Sequence, residues 1–249
     1  MTSDVAHLQG GRRNARAAVL LLHGGREYGT MPTRLTQLSY LRMLDMFVDL
    51  RTRGRRTAVH LLRYRVRGWN AGAPLPDPVT DARWALDQIT SAHPDAPIAL
   101  VGHSMGGRTA LRVADHPQVV GVCGLAPWLP PGEPLAPADA GTAYVLAHGT
   151  GDRVTSAQAS LAYAQRLRGT GALVARFELP GAGHGMLESA GLWRRFAVST
   201  ALGLVDEATL PPTVLAALES YDPSTLQLPL AAALRSGLPS GADRGGCSR

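Results

Sequence analysis

The sequence contains no lysine, because all 25 of its basic residues are arginine. This absence excludes a Schiff-base lysine, a pyridoxal-phosphate enzyme and a P-loop, each of which requires a lysine amine. Cysteine is almost as scarce: Cys123 lies in an apolar run and Cys247 in a polar tail. A disulfide framework is therefore not expected, and a reducing compartment, with the cytoplasm as the default location, fits this composition.

Long hydrophobic runs are also missing, since no apolar stretch approaches the roughly 20 residues that a membrane helix needs. The first apolar run, Ala17 to Leu22, is too short for the core of a signal peptide. We therefore expect no membrane span. The net charge of +6 is compatible with an acidic partner. Because the arginines are spread along the chain without a recognition motif, no nucleic-acid partner is expected.

What the sequence does contain is a regular alternation of short apolar runs with helical patterns. This alternation predicts an α/β fold with a doubly wound, mostly parallel sheet of about six strands and helices on both faces. Strands are predicted at Ala17–Leu22, Ala58–Arg63, Ile98–Val101, Val119–Leu125, Ala143–Ala147 and Ala172–Leu179. Helices are predicted at Ser39–Arg53, Thr80–Ala92, Met105–Asp115, Ser156–Arg168 and Met186–Leu204, with Ser39, Thr80 and Ser156 as caps or near-caps.

One junction between a predicted strand and a predicted helix reads Gly102-His103-Ser104-Met105-Gly106. A G-x-S-x-G at such a junction is typical of a nucleophile elbow. The serine sits on a turn so tight that its neighbours must lack side chains, which explains the two flanking glycines. Ser104 is therefore predicted to be a nucleophile whose hydroxyl is presented above the end of the sheet.

A serine hydroxyl becomes an effective nucleophile when a base, usually a histidine oriented by a carboxylate, removes its proton. In folds with this elbow the chain order is serine, acid, histidine. Of five carboxylates between Ser104 and His184, only Asp152 follows a strand directly within a glycine-rich turn. The alternative reading of Asp152 is a turn residue that leads into the next helix. His184 lies between two glycines and is the only histidine after Asp152, so we predict it to be the base.

Hydrolysis through a serine also needs two backbone donors for the oxyanion of the intermediate. The first predicted donor is the amide of Met105, which follows the nucleophile at a helix N-terminus. The second is expected in the loop after the first strand, His23-Gly24-Gly25, where we select the Gly25 amide. His23 is expected to organise this loop by hydrogen bonding rather than to take part in the reaction.

These motifs together resemble those of the α/β-hydrolase superfamily, in particular its small, lidless bacterial serine esterases and thioesterases. The matching segments are His23-Gly24-Gly25, Gly102–Gly106, His148-Gly149-x-x-Asp152 and Gly183-His184. The resemblance implies an α/β-hydrolase fold without a cap domain, with Ser104 as nucleophile. About 15 residues precede the first predicted strand, so the two antiparallel strands that begin many members are expected to be absent.

The resemblance also implies hydrolysis of carboxylic esters or thioesters of small to medium size through an acyl-serine, without a metal or organic cofactor. An acyltransferase or a perhydrolase with the same catalytic residues is an alternative. A non-catalytic ligand-binding relative is an alternative of another class. Such relatives usually lack one of the three catalytic residues, and none is missing here.

The substrate pocket is less clearly indicated than the catalytic residues. Four side chains follow predicted strands at their carboxyl ends and are expected either to bind substrate or to pack loops: Arg26, Tyr28, Trp69 and Trp128. Arg63, Arg65 and Arg67 alternate and would share one face of an extended segment. Either they meet an anionic substrate, or they form a solvated strand end.

The composition changes near residue 205, where strand patterns stop and prolines become frequent. We therefore predict a catalytic domain over residues 1–204 and a C-terminal extension over residues 205–249. Short helices are expected in the extension at Pro212–Ser220 and Gln227–Ser236. Disorder is expected over Gly237–Arg249.

Overall fold

The computed structural model of the protein describes residues 6–72, 74–138, 141–187 and 189–234. Its strands are β1 His7–Gly10, β2 Ala17–Leu22, β3 Thr57–Arg63, β4 Ile98–His103, β5 Val119–Leu125, β6 Ala143–Gly149, β7 Leu173–Leu179 and β8 Leu228–Pro229. They form one sheet in the order β1-β3-β2-β4-β5-β6-β7-β8, and only β1 pairs antiparallel to its neighbour. The predicted disorder over Gly237–Arg249, and Cys247 within it, lie outside the described residues.

Helices cover both faces of this sheet. They are α1 Leu38–Arg53, α2 Asp77–Ala92, α3 Met105–Arg112, α4 Ala157–Arg168, α5 Ala190–Leu204 and α6 Pro212–Glu219. One hydrophobic core packs α2, α3 and α4 against the sheet, and a second packs α1, α5 and α6 against the opposite face. The predicted doubly wound, mostly parallel α/β architecture is confirmed.

The burial of both sheet faces explains why the central strands are continuous apolar runs. All six residues of β2 are buried, with Leu20 and Leu22 in the first core and Val19 and Leu21 in the second. In a strand, neighbouring side chains point to opposite faces, so a sheet covered on both sides needs apolar residues at every position.

Two further strands raise the count from the expected six to eight. β1 pairs antiparallel with β3 at one edge, so the expectation that no antiparallel strand precedes β2 is wrong. β8 pairs with Phe177 and Glu178 of β7 at the other edge, in the segment predicted to have no strand. Both are short edge strands, and neither carries the continuous apolar pattern of a strand buried on both faces.

Several helix boundaries also differ from the predicted ones. Ser156 caps α4, since its hydroxyl accepts a hydrogen bond from the Ala159 amide over 3.0 Å. Ser39 and Thr80 are not caps, because α1 begins one residue before Ser39 and α2 begins at Asp77, directly after a proline. α5 begins at Ala190 rather than Met186, whose φ of 55° is incompatible with a right-handed helix.

The segment after α5 packs back onto the sheet through two buried arginines. Arg168 donates to the carbonyl oxygens of Val174 and Asp222 over 2.6 and 2.8 Å. Arg176 donates to the carbonyl oxygen of Leu226 over 2.9 Å. The segment contains α6, as predicted over Pro212–Ser220, and 3₁₀ turns in place of the second predicted helix. The division into two domains stays a prediction.

Two further observations concern the connection between β5 and β6 and the length of the helices. Between β5 and β6, residues 126–138 and 141–142 form neither helix nor strand, in keeping with the fold without a cap domain that the resemblance implies. None of the helices in the described ranges is both long and apolar enough to cross a membrane.

Candidate active site

Ser104 lies on a strained turn between β4 and α3. Its φ of 58° and ψ of −118° place a non-glycine residue in a region that L-residues seldom adopt. A Cβ atom at Gly102 would overlap the Gly106 backbone, and one at Gly106 would overlap the Leu22 carbonyl. Only glycine fits at both positions, so the sequence spacing follows directly from the close approach of α3 to the sheet.

The turn brings Ser104 to the two residues that were selected as its acid and base. The Oγ of Ser104 lies 2.9 Å from Nε2 of His184, and Nδ1 of His184 lies 2.7 Å from Oδ2 of Asp152. With Nδ1 protonated, His184 donates to the carboxylate and its Nε2 accepts the serine proton. Three side chains from the ends of β4, β6 and β7 therefore form one continuous hydrogen-bonded chain.

The Asp152 carboxylate is completely buried and receives an unusual number of donors. Its Oδ1 accepts the amides of Val154 and Thr155 over 2.8 and 2.9 Å. Its Oδ2 also accepts the Thr155 hydroxyl over 2.8 Å and lies 3.3 Å from Nε2 of His148. Burial acts to raise the pKa of Asp152, but the hydrogen bonds from His148, Thr155, His184 and Val154 outweigh it and hold that pKa well below its usual range.

His148 and Thr155 were not selected from the sequence as parts of this site. His148 was quoted only within the motif that precedes Asp152, and Thr155 was not singled out. The short distance along the chain could have indicated both residues. His148 lies four positions before Asp152 and Thr155 lies three positions after it, and both side chains contact the Asp152 carboxylate. Within a tight turn after a strand, short polar side chains commonly bond to the local backbone and carboxylates.

His103 is a third residue of the site that was not selected from the sequence. Its Nε2 donates to the carbonyl oxygen of His184 over 3.1 Å, and the two rings lie 4.9 Å apart. Burial, followed by the charges of His184 and Arg42, lowers the pKa of His103 to about 3. His103 is therefore neutral near pH 7, and its fixed N–H group ties the loop of the base to the turn of the nucleophile.

The loop after β2 packs against the start of α3, next to the nucleophile. A Cβ atom at Gly24 would lie 3.4 Å from the Cβ of Ser104, and one at Gly25 would overlap the Met105 side chain. In the described part of the chain, no group accepts a hydrogen bond from the Gly25 amide. The two residues selected as oxyanion donors, Gly25 and Met105, are thus neighbours beside Ser104.

His23 organises this loop, as the sequence indicated. It is 1% exposed, its Nδ1 lies 2.6 Å from the Gly24 carbonyl oxygen, and its Nε2 accepts the Tyr64 amide over 3.4 Å. Its ring also packs against those of Tyr40 and Tyr64. His23 has no contact with the Ser104 hydroxyl and acts as a structural support.

The side chains expected to bind substrate fall into two groups. Arg26 is exposed and lines a depression beside Gly25, and Tyr28 is 70% exposed. Trp69 is only 2% exposed, so of its two expected roles the structure favours loop packing over substrate binding. Its ring lies 6.1 Å from that of half-buried Trp128, and both rings face the Arg108 guanidinium at 3.9 and 4.5 Å. The two tryptophans pack around a buried cation instead of presenting an open surface.

Arg65 and Arg67, two of the alternating arginines, make different contacts in the structure. Arg65 forms ion pairs with Asp81 and Asp77, at 2.5 and 3.3 Å, and therefore holds the start of α2 against the sheet. The Arg67 guanidinium faces the side chain of Gln37 and lines the depression beside Gly25. Arg65 is thus structural, whereas Arg67 lies at the edge of the site.

The lowered pKa values of three buried histidines predict how the stability of the protein depends on pH. Burial lowers the pKa of His23 and of His60 from 6.5 to about 4, and that of His103 from 6.5 to about 3. Between pH 6.5 and 4 the unfolded chain therefore binds more protons than the folded chain. We therefore expect the free energy of unfolding to fall steadily as the pH is lowered from 6.5 to 4, and to be constant just above pH 6.5. Urea denaturation between pH 4.5 and 7.5 measures this, and a constant midpoint would contradict it.

Comparisons with known proteins identify the family to which the chain belongs. A model of the alpha/beta hydrolase family matches residues 19–146, a segment that contains Ser104 and ends before Asp152 and His184. Comparison with curated proteins finds no match.

Solved structures with a similar fold include a putative alpha/beta hydrolase of unknown function from Agrobacterium tumefaciens, with 21% identity, a TM-score of 0.59, and coverage of 78% of this chain and 87% of that one. A serine hydrolase without a lid from Xanthomonas campestris has 15% identity and a TM-score of 0.56, with 79% of this chain and 87% of that one covered. A Bacillus cereus carboxylesterase has 20% identity and a TM-score of 0.53, with 77% and 93% covered. Since the family model spans more than half of the 249 residues, the chain belongs to the alpha/beta hydrolase family.

Proposed function

We propose that this protein is a serine hydrolase that cleaves carboxylic esters of small to medium size through an acyl-serine intermediate. The observation that carries the proposal is the hydrogen-bonded chain from Ser104 through His184 to Asp152, with distances of 2.9 and 2.7 Å. Both distances lie in the range at which a proton is transferred between a nucleophile and its base.

In the first step, His184 Nε2 takes the proton of Ser104 as the Oγ attacks the ester carbonyl carbon. The carbonyl oxygen becomes an oxyanion, which the amides of Gly25 and Met105 stabilise by hydrogen bonding. The protonated His184 then gives its proton to the leaving alcohol as the carbon–oxygen bond breaks, which leaves the acyl group on Ser104.

In the second step, water takes the place of the alcohol. His184 removes a proton from the water, the resulting hydroxide attacks the acyl-serine, and the proton returns to Ser104 Oγ as the acid departs. Asp152 stays ionised in both steps, because its many donors favour the carboxylate. It therefore orients His184 and stabilises the imidazolium form.

The similar solved structures support ester chemistry without fixing the substrate. Their names include a carboxylesterase from Bacillus cereus and a monoacylglycerol lipase from Paleococcus ferrophilus, with 20% and 17% identity. A thioester would react through the same acyl-serine, with a thiol as leaving group. The cytoplasmic location and the lack of a nucleic-acid partner stay predictions.

Labelling with a fluorophosphonate probe tests the proposed nucleophile. The parent protein is expected to be labelled at Ser104, and Ser104→Ala is expected to lose the label and the hydrolysis of p-nitrophenyl acetate together. Ser91→Ala is the matched control, since the Ser91 hydroxyl lies on α2 and donates to the Asp87 carbonyl. Equal labelling of Ser104→Ala and the parent, or a folded parent that takes no label, would refute the proposal.

A further inference from the structure

An apolar groove of about 250 Å³ lies between the first half of α1 and the chain that follows His184. We refer to it as the α1 groove. Its α1 wall and its opposite wall are formed mainly by Leu38, Leu41, Met46, Met186, Leu187 and Ala190.

The leucines of this groove are unusually accessible to solvent. Leu38 and Leu187 are each 75% exposed, and Leu41 is 43% exposed. Single exposed leucines are ordinary on protein surfaces, but a concave cluster of them typically marks a place where an apolar ligand binds. The floor is apolar as well, because buried Trp193 closes the groove from below.

The α1 groove joins the proposed catalytic centre on two sides. Leu38 lines both the groove and the neighbouring depression that contains Gly25. Met186 follows His184 by two residues, and a Cβ atom at Gly185 would lie 3.4 Å from Leu187. The groove therefore borders both the depression that contains Gly25 and the chain that follows His184.

Charged side chains stand only at the rim of the α1 groove. The Asp45 carboxylate is paired with the Arg194 guanidinium, with both of its oxygens at 3.1 Å. The Arg42 guanidinium lies beside the loop of the base, where it would be 3.7 Å from a Cβ atom at Gly185. The walls between these rim residues are apolar, so the groove suits an uncharged hydrocarbon chain.

We propose that the α1 groove binds the acyl chain of the ester, so that the enzyme prefers acyl groups of medium length over acetyl. This inference rests on the proposed function. The acyl side is favoured over the alcohol side because Leu38 lines the same depression as Gly25, the residue whose amide would hold the carbonyl oxygen. From that oxygen the acyl chain extends directly along α1.

The experiment uses p-nitrophenyl esters with acyl chains of increasing length, which keep the leaving group constant. We expect kcat/KM to rise by about fourfold for each added methylene until the groove is filled, as burial of a methylene predicts. Acetate esters of alcohols of increasing length form the second series and are expected to show no such rise.

Two substitutions link the profile to the groove. Ala190→Trp fills it and is expected to lower the ratio of kcat/KM for octanoate over acetate by at least tenfold. Leu187→Ser, at a largely exposed position that folding tolerates, is expected to lower the same ratio severalfold. Val48→Ser is the matched control, because Val48 is 57% exposed on α1 and does not line the groove.

The outcomes separate this inference from the proposed function. A flat acyl profile, or a ratio unchanged by both groove substitutions, would overturn the groove assignment while ester hydrolysis stands. A rise along the alcohol series alone would overturn it in favour of the leaving group. Failure of every ester, with no labelling of Ser104, would instead overturn the proposed function.

Discussion

The substitution His184→Ala is expected to lower kcat for p-nitrophenyl acetate by about three to six orders of magnitude, in the range seen when members of such triads are removed. His184 Nε2 lies 2.9 Å from the Ser104 hydroxyl, and the described residues place no other ring nitrogen against that oxygen. Without the imidazole, the serine proton has no acceptor and the leaving group has no donor. KM is expected to change far less, because the base acts in the transition state.

Steady-state kinetics with a folded variant measures this effect. His7→Ala is the matched control, since His7 is exposed on the edge strand β1 and far along the chain from the site. Circular dichroism and the melting temperature establish that both variants fold. Turnover of His184→Ala within tenfold of the parent would show that another group serves as base.

The substitution Arg176→Met is expected to lower the free energy of unfolding by about 3–5 kcal/mol, because it removes a fully buried cation that pairs with the partly exposed Glu178 and donates to two backbone carbonyls. Arg176 is fully buried and donates to Glu178 over 2.7 Å, to the Ala157 carbonyl over 3.0 Å and to the Leu226 carbonyl over 2.9 Å. Methionine fills similar space but supplies no donor, so these acceptors lose their partners.

Thermal or urea denaturation measures the loss. A drop of this size corresponds to a lower melting temperature by about 6–20 °C for a domain of this length. Arg55→Met is the control, because Arg55 is exposed after the end of α1. A melting temperature within about 2 °C of the parent would mean that Arg176 does not hold the C-terminal segment against the sheet.

The central part of the fold was predictable because it obeys simple periodicities. The strands β2 and β5 have the predicted bounds, since a strand buried on both faces must be apolar throughout. The edge strands β1 and β8 were missed because they pair along one side only and therefore need no continuous apolar run. The N-terminal end of α2 was placed too late because prolines at positions 76 and 78, rather than Thr80, define its first turn.

The residues of the site likewise divide into those that a local sequence pattern indicates and those that it does not. Ser104, Asp152 and His184 were selected because each sits in a glycine-rich turn that follows a strand, a pattern that sequence displays directly. The contacts of His103 and Trp69 join segments that are distant in sequence, which no local pattern encodes, whereas His148 lies only four residues before Asp152. The Trp69 ring, for example, is buried because Arg108, from the helix after the nucleophile, stacks on it at 3.9 Å.

The bond from His103 to the His184 carbonyl has a mechanical consequence. His103 directly precedes Ser104 in the chain. The backbone that carries the nucleophile therefore also carries the side chain that is hydrogen-bonded to the His184 carbonyl. A displacement of the segment around His184 is therefore expected to move the turn around Ser104 in the same direction. We therefore expect this hydrogen bond to help hold the distance between the Ser104 hydroxyl and the His184 imidazole when either segment moves.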